Sequence, residues 1–343
     1  MAVLCGVQFE EMFDFLDFFM NDRAGDSDTM LDNLGVPAEQ RLKCNAHVLL
    51  CVQNSVDKVF KDKETEIGST KLISTDASHV FNSPRSSIFT LGLIAFAKFL
   101  SPSHAQESVS LYNQYKKFLK EDSEDETSGT KDISAKLLRK GFQKFSSNRF
   151  GRVLSLAEIF VENKVMINNF YDETVDPHAN KLFLACYAYL RSPWFSLCCE
   201  IGSALYKSTV LPIKAALGID DFRRKESEFR SWSGMKIFFS ELCTRLTAAG
   251  EQKPGMSGSE LLEAAVAGSV LAGLKHQLEY MSFYEDDSIV DEVVNKIDEA
   301  PLTNSGCESN FAHFDLECRR GSGQTMLKTM VKENKYFETD ELK

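Results

Sequence analysis

The sequence lacks the features of a secreted or membrane-spanning chain. Its first residues, MAVLCGVQFEEMF, have no basic stretch followed by a long apolar run, so we expect no signal peptide. The longest apolar candidate, residues 88–97, ends at Lys98 and is too short to cross a bilayer as a helix. We therefore expect an intracellular protein, nuclear or cytoplasmic, that is neither secreted nor associated with a membrane.

Complete catalytic motifs are also missing. The sequence contains no nucleophile elbow, P-loop, dinucleotide-binding fingerprint or zincin helix, which removes the enzyme classes that those motifs mark. Its nine cysteines are odd in number, and most of them lie in apolar stretches of a 343-residue chain. A disulfide scaffold is therefore excluded, and we expect reduced thiols. Tryptophan is scarce at 2 residues against 26 Phe, which indicates an aromatic core.

Positive charge is scarce overall, and its distribution is uneven. The net charge of the chain is −11, whereas residues 133–250 hold 17 bases and 11 acids. An acidic chain does not favour tight nonspecific binding to nucleic acid, because counterion release requires local positive charge. The basic middle could form a local patch. A solvated helix surface of mixed charge is the simpler interpretation, and we prefer it.

Helical periodicity dominates the chain, and strand signals are few. Apolar residues recur every three or four positions in most segments. Residues 21–36 are predicted to be a loop, Pro37 is predicted to open a helix, and residues 71–74 could form a strand. The further predicted helices cover residues 7–20, 86–100, 104–120, 153–170, 178–191, 194–217, 220–248 with a break at Gly234, and a long helix around 271–281.

These patterns predict a mostly α protein. We expect a bundle-like helical body with a few short strands. Residues 121–132, EDSEDETSGTKD, carry six acids and one base without an apolar residue, and we expect them to form a polar linker. The predicted domains are residues 1–84 with the N-terminal helices, residues 85–300 with the helical body, and residues 301–343 with the C-terminal segment.

Cys44 and His47 form the first candidate for chemistry. They are three residues apart, which would place both on one face of a helix. A structural zinc site needs four ligands and a catalytic one needs three, and no second Cys/His pair lies nearby. We therefore prefer a packing cysteine beside a hydrogen-bonded histidine over a metal site.

Glu308 is the second candidate, within the run PLTNSGCESNFAHFDLEC at residues 301–318. Ser305 or Asn304 could cap a helix there, and Glu308 would lie in its first turn, where the helix dipole stabilises a carboxylate. The alternative makes Glu308 a hard oxygen ligand for Mg²⁺, with Asp315 or His313 nearby. Both interpretations are open at this point.

Three segments together resemble the hAT-like DDE transposases, a family with a ribonuclease-H-like core interrupted by a large helical insertion. The family has a Cys-x-x-His ahead of an apolar helix, as at Cys44 and His47. It has an Arg-Trp segment opening an insertion helix, where this chain has Arg149 and Phe150. It ends with Pro, small residues and a Ser-Glu-Arg segment that holds the third catalytic acid, which the resemblance places at Glu308. Asn310 stands at the position of the usual Arg.

The resemblance also implies what the active site requires. Cleavage in this family uses two metal ions held by three carboxylates, and the first two acids come from strands ahead of the Cys-x-x-His. Here the preceding forty residues are predicted to be a Phe-rich helix and a loop containing Asp26, Asp28 and Asp32, with no strand that presents an acid. We expect a truncated or domesticated copy with a vestigial Glu308. No cofactor is expected, and Mg²⁺ would bind only to a complete site.

Two functions from different classes follow. In the first, the chain is a transposase-derived DNA-associated protein without a complete set of catalytic acids, which forms homodimers or pairs with an intact transposase. In the second, it is an α-helical protein–protein interaction module with no nucleic-acid role. A basic surface would favour the first function, and an acidic surface with an exposed apolar groove would favour the second. The candidate DNA contacts are Arg149, Arg152, Arg223, Arg224 and Lys225.

Overall fold

The computed structural model describes a mostly helical chain, which confirms the predicted fold class at that level. The chain divides into two compact units, one made of residues 1–46 with 291–343 and the other of residues 47–290. Residues 47–84, which we assigned to the N-terminal domain, thus belong to the second unit. The described residues are 19–21, 25–33, 35–36, 41–73, 86–101, 111–125, 129, 131–132, 134–135, 142, 151–174, 181–219, 231–281 and 295–298.

The first unit contains two short parallel strands joined by a helix. Strand β1 is Phe19–Asn21, helix α1 is Gly25–Asn33 and strand β2 is Arg41–Lys43. The register pairs Phe19 with Arg41 and Asn21 with Lys43. Parallel neighbours need a crossover connection, and α1 supplies it.

Local hydrogen bonds explain where α1 ends. Gly35 has φ 68°, a left-handed conformation that glycine adopts without a Cβ penalty. Its N–H donates to the Asp32 carbonyl, and the Val36 N–H donates to the Leu31 carbonyl, both at 3.0 Å. This pair of bonds is a Schellman motif, which satisfies carbonyls left open at a helix end. Arg41 then ties β2 to α1 through its 2.5 Å ion pair with Asp32.

These elements correct three predictions for the N-terminal region. Residues 19–20 were expected to end a helix and instead lie in β1. Residues 21–36 were expected to be a loop, but most of them form α1. The helix expected from Pro37 begins only at His47, because residues 41–43 pair with β1.

The second unit is built from helices. The first helices described in it are α2 (His47–Ile67) and the single turn α3 (Ser69–Leu72), so the strand considered at residues 71–74 is wrong. The remaining helices are α4 (Ile88–Leu100), α5 (Tyr112–Glu124), α6 (Arg152–Glu173), α7 (Lys181–Arg191), α8 (Pro193–Leu205), α9 (Leu211–Ala216), α10 (Trp232–Gly250) and α11 (Gly258–Glu279).

Helix α4 is the centre of this helical body. It packs against α2, α6, α7 and α8, and ten of its residues are buried. Phe96 lies in the middle of an aromatic cluster, with ring centroids 5.1 Å from Phe160 and 6.0 Å from Phe195. The abundance of phenylalanine therefore does mark a core in this unit.

The segment predicted as one helix over 194–217 contains a widened turn. Residues Tyr206–Val210 form a π-helical turn between α8 and α9. Pro212 follows it within the first turn of α9. Proline has no N–H, and in a regular helix its ring clashes with the carbonyl four residues earlier. The wider turn keeps the helix continuous up to Pro212 and beyond.

Helices α10 and α11 pack side by side, and α11 also packs on α2. Gly250 allows the close approach, since a Cβ there would lie 3.3 Å from the Gly268 backbone nitrogen. The break predicted at Gly234 is wrong, because Gly234 lies in the first turn of α10, where its N–H donates to Ser231 Oγ at 3.1 Å. A loop at residues 251–257 separates α10 from α11.

The acidic segment at residues 121–132 is not a linker throughout. Residues 121–124 form the last turn of α5, and residues 131–132 are also helical. Lys117 and Lys120 lie 3.5 and 3.8 Å from the carboxylates of Glu121 and Glu124, one helical turn later. Such pairs offset part of the repulsion between neighbouring acids.

Candidate functional site

Most of the residues selected from the sequence lie outside the described part of the chain. These are the candidate third acid and most of the candidate DNA contacts, namely Glu308, Arg149, Phe150, Arg223, Arg224 and Lys225. Cys44, His47 and Arg152 are described. The structure therefore bears directly on the Cys-x-x-His segment and on the start of α6.

Cys44 and His47 do not share a helix. Cys44 follows β2 and is buried, Asn45 and Ala46 form a turn, and His47 is the first, half-buried residue of α2. The expectation that both side chains lie on one helical face is therefore wrong. In the described part of the chain, no three His, Cys, Asp or Glu side chains are grouped closely enough to hold a metal ion.

Arg152 opens α6 beside a glycine that the packing requires. Gly151 precedes it with φ 66°, and a Cβ there would lie 2.9 Å from Val210 Cγ1. Gly151 has no side chain to cap the helix. The cap comes from α2 instead, since Gln53 Oε1 accepts a 3.1 Å hydrogen bond from the Val153 N–H.

A second cap from α2 is part of a larger polar cluster in the helical body. Glu64 is fully buried, and its carboxylate oxygens accept bonds of 2.9 and 3.0 Å from the Ile88 N–H at the start of α4. Trp194 of α8 donates its indole N–H to the same carboxylate at 3.1 Å. Asp57 accepts bonds from the Ser87 backbone N–H at 3.1 Å and from the Thr90 hydroxyl at 2.6 Å.

The electrostatics of this cluster follow from burial. Removal from water raises the pKa of Glu64, and the hydrogen bonds from Trp194 and the Ile88 N–H oppose that rise without cancelling it. The positive end of the α4 dipole also favours an anion here. The cluster holds three helices together, since Asp57 and Glu64 of α2 bind the first turn of α4 and Trp194 of α8. Its carboxylates are occupied by these donors, so it acts as a structural clamp.

The sequence contains a pattern that indicates a buried Glu64, although we did not predict this cluster from it. Val52, Val56, Phe60 and Glu64 follow each other at four-residue steps, and all four are buried. A charged residue that continues an apolar stripe must find a partner inside the protein. Glu64 was overlooked because its sequence neighbours, KDKETE, are typical of an exposed helix surface.

The two tryptophans belong to the helical body. Trp232 is 1% exposed at the start of α10. Trp194 is half-buried between Glu64 and Phe60, whose ring centroid lies 6.4 Å from that of Trp194.

The buried thiols of the helical body do not have the properties of a nucleophilic cysteine. Burial raises the pKa of Cys186, Cys198 and Cys199, which keeps these side chains protonated. All three are fully buried and reduced, as expected from the odd cysteine count. A nucleophilic cysteine needs the opposite conditions, namely a lowered pKa and access to substrate.

Several basic side chains of the helical body are paired with acids. Arg191 contacts Asp172 at 2.6 Å, and Lys164 lies 3.6 Å from Glu200. Lys207 lies 3.9 and 3.8 Å from Glu158 and Glu162. These acids belong to the same segment, residues 133–250, so the pairs leave its positive excess unchanged but mix both signs of charge on this surface, as the mixed-charge interpretation expected.

Comparison with models of protein families, with curated proteins and with solved structures finds no match for this chain. Among the helices that the structure describes, none combines the length and the apolar character needed to cross a membrane.

Proposed function

We propose that this chain is a transposase-derived, DNA-associated protein of the hAT-like type that lacks a complete set of catalytic acids. One observation carries the proposal: the parallel pair β1 and β2, joined by α1, stands immediately ahead of Cys44 and His47. The resemblance implies core strands at this place, and the sequence pattern alone had offered none. The long helical body after α2 corresponds to the implied insertion.

The strand pair also supplies a candidate for the second acid. Asp22 follows Asn21, the last residue of β1, in the sequence. Ligands of sheets with parallel strands bind beyond the carboxyl ends of the strands. We assign Asp22 to the second position and Glu308 to the third. The first position has no assigned residue, and two carboxylates do not complete a site that needs three.

Electrophoretic or fluorescence binding to labelled duplex DNA across a salt series, with and without Mg²⁺, tests this function. We expect binding that weakens as salt rises and no cutting of the DNA. If Arg223, Arg224 and Lys225 contact phosphates, replacing all three by Gln lowers the slope of log K against log salt by about 2.7, at roughly 0.9 per contact. Replacing Lys58, Lys61 and Lys63 of α2 by Gln is the control of equal charge.

The outcomes separate the parts of the proposal. No binding at low salt would refute the DNA-associated function. Nicking that disappears in both Glu308→Ala and Asp22→Asn, but persists in the exposed control Asp62→Asn, would show that the active site is complete. Equal slopes for the two triple variants would remove Arg223, Arg224 and Lys225 from the DNA contacts.

The ion-paired surface of the helical body favours a second candidate, the α-helical interaction module. Paired lysines and arginines release fewer counterions on binding DNA than unpaired ones would. Helix α7 also exposes Leu184 and Tyr187, at 48% and 40% of their surface. DNA binding distinguishes the two candidates, and light scattering of the purified chain, alone and mixed with an intact transposase, tests the two expected protein partners. If the chain is monomeric and does not bind the transposase, neither expected partner is supported.

A further inference from the structure

We propose that Ser123 is a phosphorylation site for an acidophilic serine/threonine kinase, and that the phosphate unwinds the last turn of α5. Ser123 is the next-to-last residue of that helix. Its hydroxyl is on the exposed side of the turn, where it donates to the Lys120 carbonyl at 2.8 Å. The proposal concerns this hydroxyl and its neighbours, so it is independent of DNA binding.

The residues around Ser123 present a charge pattern that a kinase can recognise. Glu124, Asp125 and Glu126 occupy the three positions after the serine, and Asp122 precedes it. The side chain of Glu124 is 68% exposed, and Asp125 is exposed as well. Kinases select substrates by complementary charge patterns, and a basic substrate cleft fits carboxylates placed directly after the acceptor.

The last turn of α5 is held by weak contacts, which allows it to enter an active site. The buried residues of α5, Tyr115 and Leu119, both precede this turn. The ion pairs of Glu121 and Glu124 with lysines join side chains that are about two-thirds exposed. Exposed pairs of this kind contribute little to stability. Ser134 Oγ donates to Asp122 Oδ2 at 2.5 Å, which ties this turn to a residue beyond the helix.

The reaction is an ordinary phosphoryl transfer with Mg²⁺-ATP as the co-reactant. The Ser123 oxygen forms a bond to the γ-phosphorus, and the bond from that phosphorus to the oxygen bridging the β- and γ-phosphates breaks. ADP leaves with the electron pair of the broken bond. The hydroxyl proton passes to the catalytic aspartate of the kinase.

The phosphate destabilises the end of the helix that carries it. It brings nearly two negative charges to a helix C-terminus, where the dipole disfavours anions, and places them among Glu121, Asp122 and Glu124. Lys120 lies three residues before Ser123, and its ammonium already lies 3.8 Å from Glu124. The modified hydroxyl can no longer donate to the Lys120 carbonyl. Unwinding separates the charges and releases Asp122 from Ser134, which is fully buried and lies 3.7 Å from Met166 Sδ.

Incubation of the full chain with a purified acidophilic kinase and Mg²⁺-ATP, followed by peptide mass spectrometry, tests the site. We expect one phosphate at Ser123, none in Ser123→Ala, and full incorporation in the control Ser128→Ala. A variant with Glu124→Gln, Asp125→Asn and Glu126→Gln keeps the hydroxyl and removes the recognition charges. We expect it to react at least tenfold more slowly. Equal melting temperatures would verify that the variants fold.

Hydrogen exchange measured on the phosphorylated and unmodified chains tests the structural effect. Amides of residues 121–135 should exchange at least tenfold faster after modification, while α6 remains unchanged. An unmodified Ser123 in the native chain, or equal rates for wild type and the neutralised variant, would overturn the site. Unchanged exchange after complete phosphorylation would overturn the proposed unwinding.

Discussion

The clamp between α2 and α4 is tested most directly by Glu64→Ala. The substitution removes the carboxylate that accepts hydrogen bonds from the Ile88 N–H and the Trp194 indole. Alanine leaves the buried Ile88 N–H without an acceptor at the start of α4. Because Glu64 is fully buried, water cannot readily take its place. We expect the free energy of unfolding of the helical body to fall.

The size of the effect follows from the two donors. An unsatisfied buried backbone N–H costs roughly 1–3 kcal/mol, and a bond to a charged acceptor contributes roughly 1.5–3 kcal/mol. Trp194 is half-buried, so water recovers part of its bond. The substitution also removes the desolvation penalty of the buried carboxylate, which the raised pKa of Glu64 indicates, and this offsets part of the loss in the free energy of unfolding. The net destabilisation should be about 2–3 kcal/mol, equivalent to a melting temperature lower by roughly 4–12 °C.

Urea unfolding followed by tryptophan fluorescence is a suitable assay, because Trp194 and Trp232 both belong to the helical body. Glu66→Ala is the matched control on the same helix. Glu66 is 67% exposed and pairs with Lys63 at 2.7 Å, so its loss should change stability by no more than about 0.5 kcal/mol. Equal midpoints and slopes for the two variants would refute the clamp.

Three further results are expected. The raised pKa of Glu64 means that the folded state holds this proton more tightly than the unfolded state. Relative to Glu64→Gln, wild type should therefore gain stability as pH falls from 7 towards 4.5, and a constant difference in urea unfolding would contradict this. Gly151→Ala should cost about 1–3 kcal/mol, because Gly151 has φ 66° and its Cβ would meet Val210. In a Val210→Ala background, chemical denaturation should show that Gly151→Ala lowers the free energy of unfolding by less. If the effects of the two substitutions simply add, the contact between position 151 and Val210 is refuted. Alkylation with mass spectrometric mapping should leave the thiols of Cys186, Cys198 and Cys199 unmodified until the protein unfolds. Labelling of any of them in the folded protein would disprove their burial.

The helices with strong apolar periodicity could be predicted from the sequence, and those that depend on distant contacts could not. Helix α6 agrees with its predicted stripe because Val153, Phe160 and Ile167 share one buried face. Helix α1 was missed because GDSDTMLDN has weak helix propensity, and its end is fixed by the Schellman bonds at Gly35. Strands β1 and β2 have three residues each, too short for an alternating pattern.

The candidate site shows the same limit. Cys44 and His47 were found by spacing, but spacing alone assumed a helix that begins only at His47. The partner of Glu64 at Ile88 is 24 residues away, and the partner of Gln53 at Val153 is 100 residues away. Local patterns cannot contain such pairings, because they arise only when the helices pack. Asp22 became a candidate only after β1 was located.

The placement of the caps has a consequence for the order in which the helices can form. Helix α11 carries its own capping box, in which Ser257 and Glu260 exchange hydrogen bonds, so its first turn can form from local contacts. Helices α4 and α6 receive acceptors from α2, and closing those long loops costs chain entropy before the bonds are gained. Helix α2 is therefore positioned to act as a folding template. Its docking adds acceptors to the first turn of α4, which also has the local cap Ser87, and to the first turn of α6, and this couples early helices to late ones during folding.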